Sequence, residues 1–306
     1  MRILIIGGTQ FVGRHIVEAA LAGGHDVTLL HRGVTGRGLY PQARHVIADR
    51  NGDLGELRGE RWDATIDVSA YQPEQVERLA DVLSTGHYTL ISTVSVYDDP
   101  PPGYTEDARL REDDSYGGKK VACERVTAAR FKDPLILRLP YVVGPYDHLV
   151  RFTWWVQRIA DGGEVLAPGH PDEPIQLIDA RDLARWTVAM TAAATPGIFH
   201  PSGPAGRLSF GELLATMREG TSATLTWVDP EFLIERGVGH EDLPLWPALD
   251  EEAAVNQADP ARAIAAGLTF RPLAETVRDT RLEPPQLGHR LSREREAALL
   301  TEWRQR

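Results

Sequence analysis

GGTQFVG, residues 7–13, stands between the apolar run ILII at 3–6 and a helical pattern over 12–21. Gly7, Gln10 and Gly13 keep the spacing G-x-x-G-x-x-G, with glutamine in the middle place. A short strand that enters a helix through such a turn opens a dinucleotide-binding α/β unit. The first glycine makes the tight turn and the last lets the helix pack close to the sheet. The helix amides then face a pyrophosphate with a favourable dipole. A middle glycine would let the backbone approach that pyrophosphate. Gln10 either moves the cofactor outward or offers its own amide. A modified dinucleotide turn is therefore expected, with Thr9, Phe11 and Val12 completing its candidate contacts.

Further apolar runs follow at 27–30, 45–48, 64–68, 89–92 and 135–139. Helical patterns at 75–83, opened by Pro73, and at 117–129 separate several of them. Strands that are apolar throughout, alternating with helices, imply a parallel sheet covered on both faces. The expected class is α/β, a Rossmann-type doubly wound parallel sheet with a smaller C-terminal substrate-binding domain. Another strand and helix are read at 174–193, and a short strand in GIFHPSG at 197–203. The division follows as 1–147 with 174–203 for the dinucleotide, and 148–173 with 204–306 for the substrate. The stretch at 98–115, rich in Pro and acids, reads as a surface loop. SREREAALLTEWRQR at 292–306 sets Leu299, Leu300 and Trp303 on one face and reads as a docking helix.

The second run ends in TLLHRG, residues 28–33, which offers His31 and Arg32 and no carboxylate. An acid there would bind a ribose 2′-hydroxyl, whereas an arginine accommodates a 2′-phosphate. NADP(H) is favoured on that ground, with NAD(H) possible. Ser69, after the fourth run, joins the candidate cofactor contacts.

Bulk properties exclude several classes. A net charge of −11 repels phosphate backbones, so nucleic acid is not expected as a partner. The lone Cys123 and ten scattered histidines give no metal-ligand pattern, and no metal is expected. No apolar run approaches the ~18 residues of a membrane helix, and no leader pattern is seen. The expectation is a cytoplasmic monomer or homodimer acting on a small-molecule substrate.

SYGGKKVACERV, residues 115–126, carries the chemistry. Tyr116 and Lys120 are four apart and share a helix face. Lysine is scarce here, with Lys119, Lys120 and Lys132 the only three. A tyrosine hydroxyl, with an ordinary pKa of about 10, must exchange a proton near neutrality, and an adjacent ammonium favours the phenolate. Lysine also offers a compact donor for a ribose hydroxyl. Thr93, in LISTVSVYDD at 90–99, lies at the end of a strand, where ligands meet a parallel sheet. Its hydroxyl can hold a substrate oxygen against Tyr116. Ser92 and Ser95 compete for that role, and strand alternation puts Thr93 and Ser95 on one face.

GGTQFVG, STVSVY, YGGKK, RLPYVVGPYD and IQLIDARDLA together resemble, in order and spacing, the extended short-chain dehydrogenases/reductases of the NAD-dependent epimerase/dehydratase family. The resemblance covers about the first 200 residues. The opening loop is most similar to an atypical branch reading GGT-x-F-x-G. The resemblance implies a Thr93–Tyr116–Lys120 catalytic triad, adenine contacts from Asp49 and Arg50, and a loop from Pro140 through Val143 beside the nicotinamide. It departs from the family in two places. Val94 and Ser95 stand where dehydratases carry Asp-Glu, and Tyr141 stands where sugar-nucleotide epimerases usually show Asn. The neighbouring Arg151 and FTWW, residues 152–155, suggest a pocket lined by Tyr141, Arg151, Trp154 and Trp155; core packing of either tryptophan is an equal reading.

The implied activity is hydride transfer between a nicotinamide and a carbonyl or hydroxyl, either as outright reduction or as epimerisation through a transient ketone. A non-enzymatic alternative exists, because chloroplast relatives with this loop associate with RNA. The acidic balance opposes that, and RNA association needs no Thr-Tyr-Lys set. A cofactor sensor would be expected to lose the tyrosine or the lysine.

Overall fold

The computed structural model describes residues 1–247, 253–284 and 290–306. The expected turn is built as β1 (Arg2–Ile6) running into α1 (Phe11–Ala22), followed by β2 (Asp26–His31) and β3 (Arg44–Ile47). β4 (Arg61–Asp67), α2 (Pro73–Ala80), β5 (Ser84–Thr93), α3 (Tyr116–Arg130) and β6 (Leu135–Leu139) come next. After β7 (Tyr141–Val143), α4 (Phe152–Ala160) and β8 (Glu164–Pro168) come β9 (Leu177–Asp179), α5 (Ala180–Ala192) and β10 (Gly197–Phe199). The remainder holds α6 (Phe210–Arg218), β11 (Thr224–Val228), α7 (Pro230–Glu235), α8 (Ala261–Ala265), α9 (Leu273–Arg281) and α10 (Arg293–Trp303).

Seven strands form one sheet in the order β10-β6-β5-β4-β1-β2-β3, with every neighbouring pair parallel. Alternation along β1 shows why both faces are covered. Ile3 and Ile5 pack with Ile16 and Val17 of α1 and Leu183 of α5, whereas Leu4 and Ile6 pack with Val76 and Leu79 of α2 and Cys123 of α3. The chain winds one way from β1 to β3 and the other way from β4 outward. β1 and β4 therefore flank the switch point, where a crevice opens beyond the strand ends.

β4 and β5 start earlier than their apolar stretches suggest, because the two strands pair with each other from Arg61 and Ser84 onward. Thr65 bonds Thr85 at 3.0 Å and Thr89 meets Thr191 of α5 at 2.8 Å. β9 pairs with β7, outside the central sheet.

The later segments build a separate cluster around the parallel pair β8 and β11. Trp154 and Trp155 lie within it, almost fully buried, and the Trp155 indole donates to the Pro244 carbonyl at 2.5 Å. α10 docks there through Leu299 and Leu300, with Trp303 packed against the cluster. The hydrophobic pattern did not reveal its polar anchor. Glu296 is buried against Arg158 at 2.7 Å and accepts the Leu166 amide at 3.0 Å. Of the segment 204–306 assigned to substrate binding, 248–252 and 285–289 lie outside the described residues. No helix among the described residues is long and apolar enough to cross a membrane.

One buried chain gives the fold a pH dependence. Arg138 donates to the Tyr97 hydroxyl at 2.5 Å, and that hydroxyl lies 2.5 Å from His200 Nε2. The other ring nitrogen of His200 faces the Asp259 carbonyl at 3.3 Å. The carbonyl can only accept, so Nδ1 carries the proton, Nε2 accepts from Tyr97, and the ring is neutral. Burial, reinforced by Arg138 nearby, lowers the His200 pKa to about 4. An unfolded histidine takes up its proton near pH 6.5, so stability is complete above about that value and falls as the pH drops toward 4. The expected loss is about 3 kcal/mol from this side chain. His31 and His87, also lowered by burial, add in the same direction. Denaturant unfolding between pH 7.5 and 4 should show this slope, and His200→Gln should flatten it; equal slopes would refute the assignment.

Candidate active site

A cavity of about 420 Å³ lies at the switch point, walled by the turn after β1 and the ends of β2, β3 and β4. Gly7 has φ 86, and a Cβ on Gly13 would overlap the Gly7 carbonyl, so this turn and helix fit only with glycine there. Gln10 has φ −134 and ψ 146, an extended conformation open to any residue. The middle position therefore has no backbone need for glycine, and Gln10 sits exposed at the cavity wall. The backbone strain has moved to Phe11, at φ 33. The first turn of α1 holds no acid, which leaves its amides and dipole to an anion.

Gly7, Thr9, Gln10, Phe11, Val12, Gly13, His31, Arg32, Asp49, Arg50 and Ser69 all line this cavity. Their side chains differ in what they can reach. Arg32 is exposed and makes no hydrogen bond or ion pair among the described residues. His31, read as a cofactor contact, turns inward. It accepts the Gly33 amide at 3.1 Å and meets His45 Nδ1 at 2.8 Å, while His45 Nε2 faces the Tyr40 carbonyl at 3.2 Å. Arg50, read as an adenine contact, is committed to Asp67: its terminal nitrogens reach the two carboxylate oxygens at 2.7 and 2.8 Å. Burial opposes ionisation of Asp67, but the guanidinium outweighs it and holds the carboxyl below its ordinary range. Tyr88 adds a further donor at 2.7 Å.

A second cavity, of about 550 Å³, continues from the first and shares Phe11, Val12, Val68, Tyr71, Ile91 and His148 with it. Thr93, Tyr116 and Lys120 all line it. Tyr116 is the first residue of α3, capped by Ser115, whose hydroxyl accepts the Gly118 amide at 3.2 Å. Gly117 lets α3 abut the end of β5, since a Cβ there would overlap the Ser95 carbonyl. That contact places Tyr116, half-exposed, in the wall of the same cavity as Thr93. Lys120 is buried and donates to the carbonyls of Ala70 at 2.8 Å and Ile91 at 2.7 Å. An ammonium has three N–H groups, so one remains for the cleft. Burial lowers the Lys120 pKa.

Thr93 ends β5 and caps a 3-10 turn over Val94–Val96. Its hydroxyl oxygen accepts the Ser95 amide at 3.2 Å and lies 3.0 Å from the Ser95 hydroxyl. Both side chains face the cleft, as expected, but a capped turn brings them together and not strand alternation. Two further expectations are corrected. Trp154 and Trp155 do not reach the cleft, because α4 is buried on all sides from Phe152 to Ile159 and both indoles pack in the core. Val143 is likewise turned away into that core, and Val142, its neighbour on the other face of β7, lines the cleft with Pro140 and Tyr141. Tyr141 and Arg151 do line it, with the Arg151 guanidinium 5.3 Å from the Tyr141 ring centre. Tyr71, His148 and Asn256 were missed. Tyr71 follows a strand end and could have been flagged, but His148 and Asn256 belong to no readable motif.

Comparison with known proteins bears out the resemblance read in the sequence. The model of the NAD dependent epimerase/dehydratase family matches residues 74–200. The chloroplast stem-loop binding protein of 41 kDa b from Arabidopsis thaliana is 26% identical over 223 residues, 66% of this chain and 58% of that protein. The chain thus spans less than two thirds of that relative. An isoflavone reductase homolog, IRL, of Zea mays is 25% identical over 273 residues, covering 80% of this chain and 82% of its own. The fold matches that of UDP-glucuronic acid 4-epimerase from Bacillus cereus in complex with NAD, with a TM-score of 0.69 and 17% identity over 91% of this chain and 97% of that one.

Proposed function

From a chain related over residues 74–200 to the NAD dependent epimerase/dehydratase enzymes, we propose an NAD(P)-dependent oxidoreductase acting on a carbonyl or hydroxyl of a small molecule. The observation that carries this reading is Lys120, buried and tethered by two carbonyls in the wall of the second cavity, which continues from the first, with Tyr116 one helical turn before it. The turn at Gly7–Gly13 fits a pyrophosphate, because its amides are free of acids and its glycines admit no Cβ. A bound nicotinamide supplies or takes up the hydride. Tyr116 gives a proton to the substrate oxygen in reduction, or takes it in oxidation. Thr93, with Ser95 behind it, orients that oxygen. Lys120 places positive charge where negative charge develops, and its remaining N–H would be the donor for a bound nicotinamide ribose.

Residues 1–147 and 174–203 hold the dinucleotide in this reading, and the rest frames the substrate. Epimerisation through a ketone that stays bound uses the same groups, and the neighbouring UDP-glucuronic acid 4-epimerase favours it as the second reading. RNA association, suggested by the name of the chloroplast relative, is opposed by the net charge of −11.

Arg32 sets the cofactor preference. Its guanidinium stands at the end of β2 with no ion pair among the described residues, and a 2′-phosphate would receive charge-assisted hydrogen bonds there. The neighbouring epimerase holds NAD, so the two dinucleotides are the test. Titration should show NADP(H) binding tighter than NAD(H), and Arg32→Ala should cost roughly tenfold in NADP(H) affinity while leaving NAD(H) nearly unchanged. Tighter NAD(H) binding by the parent would overturn the preference.

A further inference from the structure

The catalytic cavity is unbalanced in charge. Its charged side chains are Lys120 and Arg151, and no carboxylate lines it among the described residues, in a chain of net charge −11. Lys120 is tethered by carbonyls. Arg151 is not: it makes no ion pair among the described residues, and its Nε is buried without a hydrogen-bond partner there. The face of Tyr141 supports the guanidinium.

Asn256 lines the same cavity and is 3% exposed, yet its Nδ2 finds no acceptor among the described residues. Buried amide donors are rarely left so, because desolvation without a partner is costly. Looseness does not explain it, for the segment is clamped on both sides. Tyr104 donates to the Val255 carbonyl at 2.7 Å and the Gly103 amide to the Gln257 carbonyl at 2.8 Å. The Gln176 side chain pairs with both the amide and the carbonyl of Ala258, at 2.9 and 2.8 Å. Asn256 itself interrupts a 3-10 stretch at φ −80 and ψ 20, a sparsely populated conformation often found at functional sites.

A clamped amide donor and a guanidinium nitrogen, both buried without acceptors among the described residues, share the cavity that holds Tyr116. The geometry points to an oxyanion subsite: Arg151 and Asn256 bind a carboxylate or phosphate carried by the molecule whose carbonyl or hydroxyl meets Tyr116. This rests on the oxidoreductase reading and narrows its substrate class to oxyanion-bearing carbonyl compounds or alcohols. A neutral substrate would leave the Arg151 Nε and the Asn256 amide buried and without an acceptor among the described residues.

The test titrates the full chain with malonate and with inorganic phosphate by calorimetry, with and without saturating dinucleotide. The parent is expected to bind one probe more tightly, which tells a carboxylate from a phosphate. Arg151→Gln removes the charge, and Asn256→Asp replaces the donor by a carboxylate of like size. Each should weaken the preferred probe by roughly tenfold or more while dinucleotide affinity stays within about twofold. Should Asn256→Asp not fold, Asn256→Ala carries the same expectation. A parent that binds neither probe, or variants that bind as the parent does, would overturn the subsite. Loss of the oxidoreductase reading would show separately, as a parent that binds the probe but no dinucleotide.

Discussion

Tyr116→Phe is expected to lower kcat by about 10²–10⁴ on the first substrate turned over, with dinucleotide affinity nearly unchanged. The substitution keeps the ring at the start of α3 and removes only the hydroxyl, so the Ser115 cap and the close approach allowed by Gly117 survive. Lys120→Ala should differ in kind. It removes the tether to Ala70 and Ile91 as well as the donor proposed for the ribose, so turnover and dinucleotide affinity should fall together. Lys119, about 100° round the same helix, does not line the cavity, and Lys119→Ala should be mild. Stopped turnover in Tyr116→Phe without a change in affinity separates proton transfer from binding. Near-full turnover in that variant would remove Tyr116 from the chemistry.

Arg50→Ala is expected to destabilise the fold by about 3–5 kcal/mol, the usual penalty for stranding one partner of a buried ion pair. Asp67 is fully buried at the end of β4, and its remaining partners, Tyr88 and the Ser69 amide, cannot neutralise it. The denaturation midpoint should drop steeply, and part of the loss should return at low pH, where Asp67 can protonate. The triple replacement Arg50→Met, Asp67→Leu and Tyr88→Phe should recover most of the stability, since apolar side chains replace the ion pair and its buried hydroxyl donor at little net cost. A loss below about 1 kcal/mol in Arg50→Ala would match an exposed contact and contradict the buried pair.

These two residues show how far the sequence reaches. The turn at 7–13, the order of strands and helices, and the Tyr116–Lys120 spacing follow from periodicity and local chemistry, and the fold bears out the parallel doubly wound sheet. Side-chain direction at strand ends does not follow. Whether Arg50 and His31 face a ligand or the interior depends on Asp67 and His45, 17 and 14 positions away, and no local pattern records such pairings. Val142 and Val143 differ by one place, and in a strand one place reverses the face. An aromatic run such as FTWW reads equally as pocket wall or core, and only the packing of β8 and β11 decides for the core. Asn256 reaches the cavity from a segment far along the chain, which no spacing rule connects to Thr93 or Tyr116.

The central claim is that the cavity at the switch point holds a nicotinamide dinucleotide against Tyr116 and Lys120. It is tested most directly by titrating the purified chain with NAD(H) and NADP(H) while following the fluorescence of the reduced nicotinamide. The account predicts saturable binding of at least one of them, one dinucleotide per chain, weakened in both Lys120→Ala and Gly13→Ala. Absence of binding by either dinucleotide to the folded parent would contradict it.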